Sequence, residues 1–120
     1  MLARMRWFLL LTVVATMVTA CMRGDKKKCE EATRNVFTLT FWHNANKQIA
    51  AAPPEKQAAL RAELSNKLQQ DLALNLESEA SKCIKAGDND RADCMIKAQT
   101  CDEAKKCMPK DAYWLDKMCK

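Results

Sequence analysis

The sequence predicts an all-α fold: a small helical bundle, stapled by disulfides, of two long antiparallel helices and two or three short ones. Three observations carry this. Only two glycines occur in 120 residues while Ala, Leu, Lys, Gln and Glu abound, a composition that favours helix. An unbroken run of apolar residues at four-residue spacing, from Leu60 to Ile84, marks one long helix. Six of the seven cysteines fall between Cys29 and Cys119, and that density in so short a chain belongs to disulfides made in an oxidising compartment.

Arg4 and Arg6 form a positive start with no acidic residue before the apolar run from Trp7 to Val18. A run of twelve residues is too short to span a bilayer, which needs roughly 20 apolar residues, and the layout is that of a cleaved export signal. Val18 and Ala20 are small enough for ordinary cleavage after Ala20. The stretch Val18-Thr19-Ala20-Cys21 also resembles the lipobox of bacterial lipoproteins. That resemblance implies lipid transfer to the Cys21 thiol, cleavage between Ala20 and Cys21, and acylation of the new terminus. Cysteine counting favours the lipoprotein reading over a plain secreted protein. Seven is an odd number for an exported chain, and lipid on Cys21 leaves six that can all pair. Met22 stands where the family's inner-membrane retention signal would be Asp, so the resemblance implies the periplasmic side of the outer membrane. The expected parts are a signal peptide over 1–20, a lipidated tether over 21–28 and a helical domain over 29–120.

The tether, Met22 to Lys28, carries the run Lys26-Lys27-Lys28, which suits either anionic lipid or plain solvent. The whole chain bears a net charge of +5, and Arg4 and Arg6 supply two of those charges. The mild remainder lacks the dense basic stripe of a nucleic-acid binder.

Cys29 to Ala52 sends two signals. Val36 to Trp42 alternates like a strand, yet Cys29, Ala32, Val36, Leu39 and His43 repeat at three and four, as do Phe37, Phe41, Ala45 and Ile49. No other segment reads as a strand that could pair with it, so helix is predicted, buried between neighbours. Pro53-Pro54 ends it, and Pro54 fits the first turn of the next helix. That helix runs from Glu55 to Ala86. Its ridge of Leu60, Leu64, Leu68, Leu72, Leu76, Ala80 and Ile84 drifts by about 40° per four-residue step. Either the helix bends, or different neighbours cover its two ends. Gly87 is a natural left-handed cap, and Lys82 and Lys85 suit the dipole there.

Asp88-Asn89-Asp90 opens a short helix over 91–99. A calcium loop starting at Asp88 would need Gly and Glu where Asp93 and Gln99 stand, so none is expected. Thr100 and Glu103 form a capping box for a helix ending near Cys107, before Pro109. Asp111 can cap a last helix, with Trp114 and Met118 one turn apart closing the core or, alternatively, offering an aromatic patch to a partner.

No C-x-x-C occurs and His43 is the only histidine, so neither metal nor redox centre is expected, and no cofactor. Six cysteines allow fifteen pairings. Cys83 and Cys94 flank the turn at Asp88-Asn89 almost equally, which favours Cys83–Cys94, then Cys29–Cys107 and Cys101–Cys119. The rival set pairs Cys29 with Cys83 and Cys94 with Cys107. The segment from Cys94 to Cys107, with Ala98, Thr100 and Glu103, is similar to the endings of small, uncharacterised, cysteine-containing helical proteins exported by myxobacteria-like genomes. The resemblance takes in Cys29 and Cys83 as well, and it implies architecture and no activity.

No catalytic constellation is legible. His43 and scattered carboxylates such as Glu77 and Glu79 read as structural or solvated residues. The expected role is non-catalytic binding or support at the envelope, with the membrane held through lipid on Cys21 and an envelope protein as partner. Neither nucleic acid nor a small-molecule substrate is expected. A small inhibitor or immunity-type lipoprotein is the alternative, and a soluble secreted helical protein follows if Cys21 carries no lipid.

Overall fold

Asp25 accepts a hydrogen bond from the Lys28 N–H at 3.0 Å and so starts helix α1 over Lys26–Ala51. The structure is a computed structural model and describes residues 24–108 and 113–120, with Trp114 described by its backbone alone. The expected signal peptide over 1–20, Cys21 and the expected cap at Asp111 lie outside the described residues. Helix α2 spans Pro54–Ala86, α3 Asn89–Lys97, α4 Cys101–Lys106 and α5 Tyr113–Met118. No strand occurs among the described residues.

The start of α1 corrects the expected tether over 21–28. Lys26, Lys27 and Lys28 are its first turn. Three cations oppose the helix dipole there. Asp25 offsets this as cap, Glu30 pairs with Lys26 at 3.9 Å, and Asp93 takes Lys28 at 3.0 Å. The segment from Val36 to Trp42 is helical, and α1 is the hub, packing against each of the other four helices. Its fully buried residues are Cys29, Ala32, Val36, Thr40, Ala45 and Ile49. Leu39 and His43, expected on that line, are only half-buried. Thr40 replaces them and satisfies its hydroxyl by donating to the Val36 and Phe37 carbonyls, both at 3.0 Å.

Pro53 and Pro54 turn the chain, and α2 returns antiparallel. Cys29 meets Cys83 at one end of this hairpin, and Ile49 meets Leu64 toward the other. Each residue forward on α1 is matched by one back on α2, as equal rises require. The ridge of α2 behaves as its drift demands. Leu64, Leu68, Leu72 and Ala80 are buried, while Leu60, Leu76 and Ile84 are partly exposed. Two neighbourhoods cover it: Leu60 and Leu64 sit on Phe41, Trp42, Ala45 and Ile49, whereas Cys83 joins the core made with α3 to α5. Gly87 closes α2 at φ 68, the one position where a left-handed residue is needed.

Asp88 caps α3, accepting from the Arg91 N–H at 2.9 Å. Here the expected Cys83–Cys94 pairing fails. It assumed that α3 folds back along α2, but α3 lies on α1, burying Ala92 and Met95 against Ala32 and Val36. Cys94 stands on the exposed side of α3, away from that face, and Cys107 meets it from α4. The observed bonds are Cys29–Cys83, Cys94–Cys107 and Cys101–Cys119, with Cα atoms 5.6, 5.6 and 5.8 Å apart. Cys29–Cys107 is therefore also absent, and the rival pairing is the one formed.

Two of the three short helices, α3 and α5, have their C-terminal carbonyls satisfied from α1. The Asn35 side-chain amide donates to the Met95 and Ala98 carbonyls at 2.7 and 2.8 Å, and to Ile96 more weakly at 3.3 Å. It thereby satisfies carbonyls that the end of α3 leaves open. Asn44 does the same for α5, donating to the Met118 carbonyl at 2.7 Å. Thr100 accepts from the Glu103 N–H at 3.1 Å, and Glu103 reaches back to the Gln99 N–H at 2.7 Å, one residue before the expected partner.

Candidate functional site

A concavity among the described residues forms a trough along one side of the α1–α2 hairpin. Its main part holds about 690 Å³, within the range of sites for small molecules. Val36, Phe37 and Thr40 of α1 and Met95 of α3 supply much of the lining, and Met108 and Met118 approach from the C-terminal segment. A second hollow of about 220 Å³ shares Phe37, Thr40 and Met118 with the first and carries the trough on to Gln48 and Leu64. From Thr33 to Gln48 the α1 side runs about 22 Å at the helical rise.

The lining explains what the trough suits. Three methionines bring flexible, polarisable side chains that adapt to apolar ligands of different outline. Several polar groups at its edge are engaged within the protein. Thr40 donates to its own helix, Lys82 pairs with Glu79 at 2.7 Å, and Arg91 pairs with Asp88 at 3.3 Å. Such rim pairs balance in charge and contribute little to stability.

The sequence-derived residues fall elsewhere. His43 does not line the trough. Its Nε2 is buried without a hydrogen-bond partner beside the Phe41–Trp42 pair, whose rings meet edge to face at 5.6 Å. Glu77 and Glu79 are exposed, and only Glu79 borders the trough. Of the acidic residues near Asp88, Asp88 faces Arg91 and Asp93 faces Lys28, so both answer a cation of the protein itself. Among the described residues no group of three His, Cys, Asp or Glu side chains is placed to hold a metal ion. Met118 lines the trough, while Tyr113 is exposed. No described helix is long and apolar enough to cross a membrane.

The Lys105 ammonium is held above its ordinary value by neighbouring carboxylates. The Asp116 carboxylate, accepting its hydrogen bond at 3.1 Å, raises it above 10.5, with smaller help from Asp102 at 3.6 Å. The contact ties α4 to α5 on the surface. Sequence reasoning missed the trough, and also Asn35 and Asn44, which have the short amide side chain suited to bonding carbonyls but no local pattern to mark it. Comparison with family models, with curated proteins and with solved structures finds no match for this chain.

Proposed function

We propose that this chain is a lipid-anchored protein of the cell envelope, exported by a signal peptide over 1–20 and held by lipid on Cys21. Its helical domain binds rather than catalyses, with the apolar trough as the binding surface. The observation that carries the reading is the pairing of all six later cysteines with one another, which leaves none of them for Cys21. A thiol at the end of an export signal, in a lipobox-like setting, is then best used by lipid. The docked Gly24 supports the same posture, because only Met22 and Arg23 separate the modified residue from the domain. The periplasmic face of the outer membrane is the proposed location, from Met22 following the lipidated cysteine.

Intact-mass measurement of the mature protein tests this. A mass with lipid on Cys21, together with a gain of about 6 Da on reduction, two hydrogens per disulfide, is the expected result. An unmodified Cys21 thiol overturns the anchor. A turnover assay would overturn the binding role if activity survived purification and tracked with a side chain of the trough.

A further inference from the structure

The trough ends beside Gly24 and Asp25. The Gly24 N–H donates to the Ile84 carbonyl at 3.0 Å, and the Asp25 N–H donates to Asn89 Oδ1 at 3.1 Å. Ile84 follows Cys83 and Asn89 follows Asp88, and both Cys83 and Asp88 line the trough. Gly24 sits so close that a Cβ there would lie 3.1 Å from Ile84 Cα and 3.2 Å from the Cys83 carbonyl. Gly24 and Asp25 are thus pinned at one mouth of the trough, between the end of α2 and the beginning of α3.

We infer that the trough is a stowage groove for one acyl chain of the lipid carried by Cys21, occupied when the protein is outside a bilayer. The inference rests on the lipid-anchor reading above. From Gly24 back to Cys21 is three residues, a reach of at most about 11 Å. The lipid therefore starts at this mouth whatever direction those residues take. The trough is long enough for it. One acyl chain covers one leaflet, about half of the roughly 30 Å hydrocarbon core, and the α1 side of the trough runs about 22 Å.

Its chemistry is equally selective. The lining is mostly apolar, Lys82 and Arg91 on its rim are engaged by Glu79 and Asp88, and Lys67 borders the second hollow, so an unbranched hydrocarbon asks nothing of it that is missing. Because the chain is tethered, insertion is intramolecular, at an effective concentration of order millimolar. A half-open groove is then sufficient. Insertion into a bilayer offers the chain full burial, so membrane contact empties the trough and turns the stowed form into the anchored one.

A photoreactive fatty acid, incorporated into the lipid on Cys21 by growing cells, tests this directly. The lipidated protein is checked by intact mass, diluted out of detergent, irradiated and digested. Adducts on Phe37, Met95, Met108 or Met118 of the same molecule are expected. Ala86→Trp, a bulky change at an exposed position on the trough wall, should cut them by about tenfold or more. Asn75→Trp, also exposed and farther along the wall, serves as the second block, and circular dichroism verifies that each variant is folded. Adducts spread evenly over exposed α2 residues such as Leu74, or unaffected by both blocks, overturn the inference while leaving the anchor in place. A Cys21 without lipid removes the anchor and the stowed chain together, and the mass spectrum shows which of the two has failed.

Discussion

The two ends of the α1–α2 hairpin are built on different principles. At the end that holds Cys29 and Cys83, the core is made of small residues: Ala32, Ala92, Ala98 and Ala104 with Cys101 and Cys119, completed by Val36, Met95 and Leu115. Small side chains bring backbones close but remove little apolar area from water, and three disulfides supply the remaining constraint. At the other end Ala45, Ile49 and Leu64 are packed by Phe41, Trp42 and Leu60, with Arg61 lying 5.7 Å over the Trp42 ring. No disulfide reaches that end. The difference shows how short helices are retained. α3, α4 and α5 have nine, six and six residues, too few to be stable alone, so they are bolted and capped, whereas two long helices hold each other by side-chain area.

The sharpest way to break this contrast is to remove a bolt. Replacing Cys29 and Cys83 together by Ala opens a loop of 54 residues and should cost about 4 kcal/mol in urea unfolding, against about 3 kcal/mol for Cys94 and Cys107 with a separation of 13. An equal cost for both pairs would show that the constraint does not act through the unfolded chain. Next in size is the packing. Ile49→Ala should lose about 3 kcal/mol, and hydrogen exchange should quicken around residues 45–64 while the stapled end keeps its protection. If protection falls evenly in both places, the ends are one cooperative unit.

Asn35→Ala should cost about 2 kcal/mol by uncapping the Met95 and Ala98 carbonyls, with faster exchange confined to α3 and α4. His43→Leu goes the other way. Nε2 is buried with no partner, so an apolar replacement should be neutral or stabilising by about 1 kcal/mol or less, read from the same urea curves. The smallest effect belongs to Lys105. Its folded value lies above 10.5, so its contact with Asp116 is fully present below pH 10.5 and fades as pH rises through the folded value. Lys105→Gln should therefore flatten a slight alkaline loosening of α5, visible as a change in Tyr113 fluorescence.

Much of the fold is legible in the sequence because its signals are local. Pro53-Pro54, Gly87, Asp88 and the Thr100–Glu103 box each mark an end through the chemistry of a few neighbouring residues. The four-residue ridge of α2 reports its own burial, including the change of neighbour along its length. What the sequence conceals is which helix receives α3. Equal spacing about a turn suggests Cys83–Cys94, but Ala92 and Met95 choose α1, and a disulfide follows the packing. The start of α1 is obscured for another reason. Three lysines contradict the usual preference for acids in a first turn, and their compensation comes partly from Asp93, more than sixty residues later. The trough is hidden more deeply, since it is space left among four helices and no stretch of residues encodes it alone.

The docking of Gly24 and the nearby Cys29–Cys83 bond also decide how the domain responds to a pull from its N-terminal side. Tension entering at Gly24 first meets two hydrogen bonds, to Ile84 and Asn89, that give way easily. Five residues later it reaches a covalent bond joining both long helices, and the force is shared between them before any core contact is strained. The domain is thus a mechanical fuse placed ahead of a clamp: the first turn of α1 can peel while everything beyond Cys29 stays shut.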